Sequence, residues 1–104
     1  MIRVAVLYPN TPGATFDYTY YAREHMKLVQ KKLGKMGLVK VEIDKGIGVT
    51  PLGSTLPYIT VGYLYFNTLD DLKKASIPMS GELNGDIPNF TNVQPQVQVS
   101  EIIM

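Results

Sequence analysis

Tyr58-Ile59-Thr60-Val61-Gly62-Tyr63-Leu64-Tyr65-Phe66 is the stretch that most limits what this chain can fold into. Only Thr60 and Gly62 interrupt its large apolar side chains, so a strand here is hydrophobic on both faces, and both must be covered. Ile2-Arg3-Val4-Ala5-Val6-Leu7-Tyr8 has the same character apart from Arg3, and Pro9-Asn10 stops it. The chain has 104 residues and is 45% hydrophobic. A domain of that size buries only about two-thirds of its unfolded surface, so surplus apolar area is expected to seek a second copy.

The longest helical pattern runs from Phe16 to Leu33. Asp17 follows the turn-forming Thr11-Pro12-Gly13 and is suited to capping the helix, since its carboxylate can accept from free amides and favours the positive end of the dipole. Tyr18, Tyr21, Ala22, His25, Leu28, Val29 and Leu33 recur at three- and four-residue spacing and share one face, opposite Thr19, Arg23, Lys27, Gln30 and Lys31. The helix is expected to end near Gly34 or Gly37, either of which can take the left-handed cap conformation.

Leu38 to Lys45 then alternates as a half-exposed strand, with Val39, Val41 and Ile43 on one face and Lys40, Glu42 and Asp44 on the other. Gly46 to Pro57 is a long loop broken by glycine and proline. After the Tyr58 to Phe66 strand, Thr68 or Asn67 caps a short helix over Leu69 to Ala75, which Pro78 is expected to terminate. A further turn or two around Ser80 to Asn84, an extended Asp86 to Thr91 link and a last strand within Val93 to Ile103 complete the chain. Pro95 delays regular pairing in that strand until about Val97. The order is strand, helix, strand, strand, helix, strand. It predicts a single α+β domain spanning residues 1–104, with a ferredoxin-like βαββαβ plan and a four-stranded antiparallel sheet carrying both helices on one face. The uncovered sheet face then predicts a two-fold homodimer.

Several function classes are set aside. Net charge is +1, which gives no field to draw in nucleic acid or an anionic membrane, and the lysines from Lys27 to Lys45 read as a solvated surface. There is no cysteine, so thiolate nucleophiles, thiolate metal ligands and disulfides are excluded, and one histidine gives no spaced metal-ligand set. Gly46-Ile47-Gly48 lacks the third glycine, helix start and downstream acid of a dinucleotide fingerprint. Turn chemistry accounts for Ser54, Ser76, Ser80 and Ser100. Val4 to Tyr8 is too short for a signal segment and no apolar run spans a bilayer, so a cytoplasmic protein without membrane, metal or cofactor is expected.

The candidate for chemistry is His25. An imidazole on the apolar side of a helix, among tyrosines and aliphatics, is expected to be a neutral base with one ring nitrogen free. Such a histidine is also commonly a core residue bonded to a neighbouring carbonyl or hydroxyl. Tyr18, Tyr21, Tyr63 and Tyr65 are candidate walls of an apolar pocket around it, with Asn89 and Phe90 as secondary candidates for substrate binding. Strand parity alone does not say which tyrosines face it.

With these pieces in order, the chain resembles the EthD-like proteins, a family named for ethyl tert-butyl ether degradation within the dimeric α+β barrel superfamily. The resemblance rests on Leu7-Tyr8-Pro9, Phe16-Asp17 followed by Tyr20-Tyr21, His25 and Leu28, the Leu72 to Ala75 helix, Asp86-Ile87 and Asn89-Phe90-Thr91. One departure is Lys27, where family members commonly carry proline; the change falls on the helix surface. The resemblance implies a barrel of two sheets across a dimer and a small-molecule pocket between helices and sheet. Relatives in the wider superfamily include cofactor-free monooxygenases, lactone isomerases, haem-degrading enzymes and cyclising or decarboxylating enzymes. The function expected is therefore an oxidoreductase- or monooxygenase-like, or isomerase- or cyclase-like, enzyme of a small apolar or aromatic substrate with His25 as general acid/base. The alternative is a non-catalytic accessory or metabolite-binding module of a degradation pathway.

Overall fold

The computed structural model describes all 104 residues, Met1–Met104. Strands β1 (Ile2–Pro9), β2 (Leu38–Lys45), β3 (Tyr58–Phe66) and β4 (Gln96–Glu101) form one antiparallel sheet in the order β2-β3-β1-β4. Helix α1 runs without a break through Tyr18–Tyr20, a π-helical Tyr21–His25 and Met26–Leu33. Helix α2 comprises Leu69–Pro78 continued by a π-helical Met79–Leu83. This is the ferredoxin-like α+β plan. The doubly apolar β1 and β3 take the two central positions, where hydrogen bonding is complete on both edges, and the more polar β2 and β4 take the rims.

Both helices lie on one face of the sheet. Val29, Leu33, Leu72, Ala75 and Leu83 of the helices and Val4, Leu64 and Phe66 of the sheet belong to one buried cluster. The pairing of Val4 with Leu64 and of Ile2 with Phe66 sets strand parity. Arg3, Ala5, Leu7, Val61, Tyr63 and Tyr65 consequently point to the face without helices.

The caps follow local chemistry. Asp17 accepts from the Tyr20 amide at 3.0 Å, and Thr68 accepts from the Asp71 amide at 3.1 Å. Helix α1 closes through a short 3-10 turn, Gly34–Met36, onto Gly37 at φ 93°, a left-handed conformation that glycine adopts without a Cβ clash.

Three expectations need correction. Pro78 does not end α2. Its missing N–H costs one bond, but the Met79 amide donates to the Ala75 and Ser76 carbonyls and the Asn84 amide to the Gly81 and Met79 carbonyls, and Leu83 enters the core at 5% exposure. Val39 does not share a face with Val41 and Ile43, because an irregularity between Leu38 and Lys40 sets Leu38 opposite Phe66 and leaves Val39 46% exposed. The Asp86 to Thr91 link is not extended: Ile87–Asn89 forms a 3-10 turn that buries Ile87 and Phe90.

Gly62 is where sheet and helix approach most closely. A Cβ added there would lie 2.0 Å from the Tyr21 hydroxyl. Alanine ordinarily stabilises a strand over glycine by about 0.5–1 kcal/mol. Here the sign reverses: Gly62→Ala is expected to cost about 1–3 kcal/mol in urea unfolding, because the Tyr21 ring must shift out of its packed position.

Candidate active site

The site starts from the π turn in α1. Its i to i+5 bond runs from the Met26 amide to the Tyr21 carbonyl and adds one residue to the turn, so Tyr21, His25 and Met26 are all buried while Ala22 is exposed. Tyr21 and His25 stack with ring centroids 5.4 Å apart and an interplanar angle of 15°. Phe90 packs against the imidazole at 4.7 Å and against Tyr21 at 4.8 Å, which fixes both rings from behind.

His25 is 6% exposed, and its Nδ1 lies 2.8 Å from Asp86 Oδ2. The other carboxylate oxygen, Oδ1, accepts from the Tyr20 hydroxyl and from the Asn89 side-chain amide, each at 2.8 Å. Burial pushes the Asp86 carboxyl up, but the hydrogen bonds from Asn89, His25 and Tyr20 outweigh it and hold the group below the usual carboxylate value. Asp86 is thus a carboxylate near neutral pH and accepts the Nδ1 proton. That tautomer leaves the lone pair on Nε2, the nitrogen with no hydrogen bond inside the protein. No fully enclosed side-chain nitrogen or oxygen lacks a partner, so Nε2 retains access to open space.

That space is a cavity of about 90 Å³ between α1, α2 and the sheet. Ten of its thirteen lining residues are hydrophobic, among them Val6, Met26, Leu64 and Ile87, so it favours an apolar guest. His25, Tyr8, Tyr21 and Asn84 bring polar atoms to its wall. The exposed members, Asn84 and Val97, mark its mouth. Burial raises the Tyr8 and Tyr21 hydroxyls well above the usual phenol value, so both keep their protons.

The structure brings His25 and Tyr21 together at the cavity and sets Phe90 directly behind the imidazole. Asn89 lies at Asp86 rather than on the cavity wall. Tyr18 is elsewhere: its hydroxyl donates to the Ile59 carbonyl at 2.8 Å and its ring packs on Phe16. Tyr63 and Tyr65 are on the opposite face of the sheet, where Arg3 lies 5.4 Å from the Tyr63 ring and the Tyr65 hydroxyl donates to Glu42. Sequence reasoning missed Tyr8 and Asp86 as site residues. The parity of β1 relative to Val4 would have turned Tyr8 inward, and an acid three residues before Asn89 is a natural acceptor for that amide. No three His, Asp or Glu side chains converge as a metal-binding group would require.

Because the folded-state pKa of Asp86 is lowered, its contribution to stability is present above the ordinary carboxylate pKa and is lost as pH falls through the folded value. Asp86→Asn is expected to lose about 1–3 kcal/mol near pH 7, the magnitude for hydrogen bonds to a charged group. Urea unfolding as a function of pH checks this: the gap between wild type and variant should narrow steadily on acidification below the carboxylate range.

Comparison with protein-family models and with curated proteins returns no match. Solved structures do match. An EthD-like protein from Ralstonia eutropha superposes with a TM-score of 0.89 at 30% identity, covering 99% of this chain and 92% of that one. An ethyl tert-butyl ether degradation (EthD) family protein from Bacillus halodurans gives a TM-score of 0.73 at 18% identity, with 99% of each chain covered. A dimeric ferredoxin-like protein from an uncultured marine organism shares the fold at a TM-score of 0.57 and 9% identity, covering 100% of this chain and 96% of that one. With the βαββαβ sheet in place and 30% identity carried over 99% of its length, this chain belongs to the EthD-like family.

Proposed function

We propose that the protein binds a compact, mostly apolar organic molecule in the cavity under α1, and that His25 acts on it as general acid/base. The observation that carries this reading is the orientation of the imidazole. Nδ1 is engaged by an ionised Asp86, which leaves Nε2 free in a residue that lines the cavity. Asp86, held by Tyr20 and Asn89, acts as a positioning residue: it fixes the tautomer and compensates the charge that appears on the ring when Nε2 takes a proton. Phe90 keeps the ring from rotating away. Such chemistry serves an isomerase or cyclase step, or the priming of a substrate carbanion toward oxygen in a monooxygenase-like reaction. No helix is long and apolar enough to cross a membrane, and a cytoplasmic location is part of the proposal.

Dimerisation belongs to the same reading. Ala5, Leu7, Val61, Tyr63 and Tyr65 lie on a face that no helix covers, which suits a second sheet, and one fold neighbour is described as dimeric. Sedimentation at micromolar concentration is expected to give twice the 11.6 kDa chain mass, and Val61→Glu, at the centre of that face, to give the monomer. A wild-type monomer would overturn the proposed assembly.

The catalytic reading is tested by screening small phenols, lactones and ketones with methyl NMR. Ligands should shift Leu64 and Leu83, and Leu64→Phe, which fills the cavity, should abolish binding. With a turned-over ligand in hand, His25→Ala should still fold and dimerise, at a cost in stability from the vacant Asp86 acceptor, while losing about a hundred- to ten-thousand-fold in rate. Binding to wild type without turnover would make the accessory, metabolite-binding module the function instead.

A further inference from the structure

The Tyr8 and Tyr21 hydroxyls have no partner in the protein other than each other, and each residue is 1% exposed. Buried tyrosine hydroxyls ordinarily find a partner, and a pair that has only itself keeps one O–H proton undonated. The two residues come from different elements, β1 and α1, and their rings meet edge-on with centroids 5.7 Å apart. The hydrogen bond between the two hydroxyls favours the ionised form of Tyr8 and disfavours that of Tyr21. Both residues line the His25 cavity. The sheet gives up a side chain to admit one of them: the Tyr21 hydroxyl occupies the space where a Cβ on Gly62 would be. The result is two protonated phenols on an otherwise apolar wall, in the same cavity as a base oriented by Asp86.

We infer that Tyr8 and Tyr21 form a donor pair for one substrate oxygen, and that the substrate class is a compact carbonyl compound with an ionisable C–H next to the carbonyl. The inference rests on the cavity and base reading above and deepens it. Nε2 of His25 takes the proton from the α-carbon: the C–H bond breaks, an N–H bond forms, and the electron pair moves onto the carbonyl oxygen as an enolate. The two hydroxyls donate to that oxyanion in a site of low polarity, where such bonds are strongest. Return of the proton from Nε2 to the same or a conjugated carbon restores the imidazole, so the step needs no oxidant, reductant or second substrate. A cavity of about 90 Å³ restricts the buried part of the substrate to a single small ring or a short chain, with any remainder extending past Asn84 and Val97.

Two probes test this. Cyclohexanone in deuterium oxide reports proton abstraction, through loss of its α-hydrogen signal in NMR. Para-nitrophenol and its methyl ether, para-nitroanisole, report binding with and without a hydroxyl or oxyanion. Wild type is expected to accelerate exchange over buffer and to bind para-nitrophenol more tightly than para-nitroanisole. Tyr21→Phe and Tyr8→Phe, which keep their rings, should each slow exchange by about a hundredfold, the scale for losing one oxyanion donor, and should lose the preference for para-nitrophenol. Their binding of para-nitroanisole should weaken much less than that of para-nitrophenol, a split that a purely structural role would not produce. Variants that exchange and bind as wild type would overturn the donor pair and leave the cavity reading intact. Binding of para-nitrophenol without any exchange would overturn the enolisation step alone. Failure of both dyes to bind wild type would remove the cavity reading and this inference with it.

Discussion

Asp86 is the point through which three parts of the molecule are held in one arrangement. Its carboxylate takes Tyr20 and His25 from successive turns of α1 and Asn89 from the 3-10 turn after α2. These are charge-assisted bonds in a place only 12% exposed, where each is stronger than on the surface and where a vacant acceptor would be costly. The same contact has a structural and a chemical consequence. It seats the segment carrying Phe90 against the helix, and it decides which imidazole nitrogen keeps its proton. A residue that merely filled space at position 86 would do neither, because the orientation of His25 depends on an acceptor at Nδ1 and not on shape.

The π turn is the second condition on the site. In an uninterrupted α-helix, the residue five after Tyr21 would point well away from it. One extra residue in the turn brings Met26, at 4% exposure, onto the buried side with Tyr21 and His25, and turns Ala22 out to solvent. The helix gives up regular geometry at that turn and sets Tyr21, His25 and Met26 together on the cavity wall. Gly62 completes the arrangement from the sheet side. Without a side chain there, Tyr21 can lie down onto β3 and present its hydroxyl at the floor, whereas any Cβ would push helix and sheet apart. Helix irregularity and strand glycine are thus two halves of one adjustment.

This explains which features were legible in the sequence. Strand boundaries at Leu38–Lys45 and Tyr58–Phe66 followed from runs of branched and aromatic residues closed by glycine and proline, and the caps Asp17 and Thr68 from single-residue hydrogen-bond chemistry. All of these are local. The exposure of Ala22 was not legible, since a 3.6-residue period assumes a regular helix, whereas Met26, three and seven residues before Val29 and Leu33, shares their face in that same period. The continuation of α2 past Pro78 was hidden for the same reason: the local rule for proline says stop, but Leu83 has a place in the core that outweighs one lost bond. At the site, His25 stood out as the only histidine on an apolar face. Asp86 lies 61 residues away and has no local pattern of its own, so only the tertiary fold reveals the pairing. Tyr63 and Tyr65 went to the far face because parity is fixed by pairing with β1, which composition does not specify.

The two sides of the sheet carry different chemistry, and the division bears on how such a small chain can hold a site at all. On the helix side, Val4, Val6, Leu64 and Phe66 meet aliphatic and aromatic residues, and polar atoms are few and aimed. On the other side, Tyr63 and Tyr65 sit beside Arg3, Lys40 and Glu42, with Lys40 4.6 Å from the Tyr65 ring and Glu42 held below the usual carboxylate value chiefly by the Tyr65 hydroxyl. Tyrosines that stack under cations and donate to a carboxylate are suited to a face that is wet in one state and covered in another, since they offer apolar area without an unmatched polar tip. A second copy docking there would cover the doubly apolar strands without touching the mouth at Asn84 and Val97, which lies on the helix side. Burial of the sheet and access to the cavity are then independent demands, met on opposite faces, so the proposed assembly does not compete with the opening that the proposed chemistry needs.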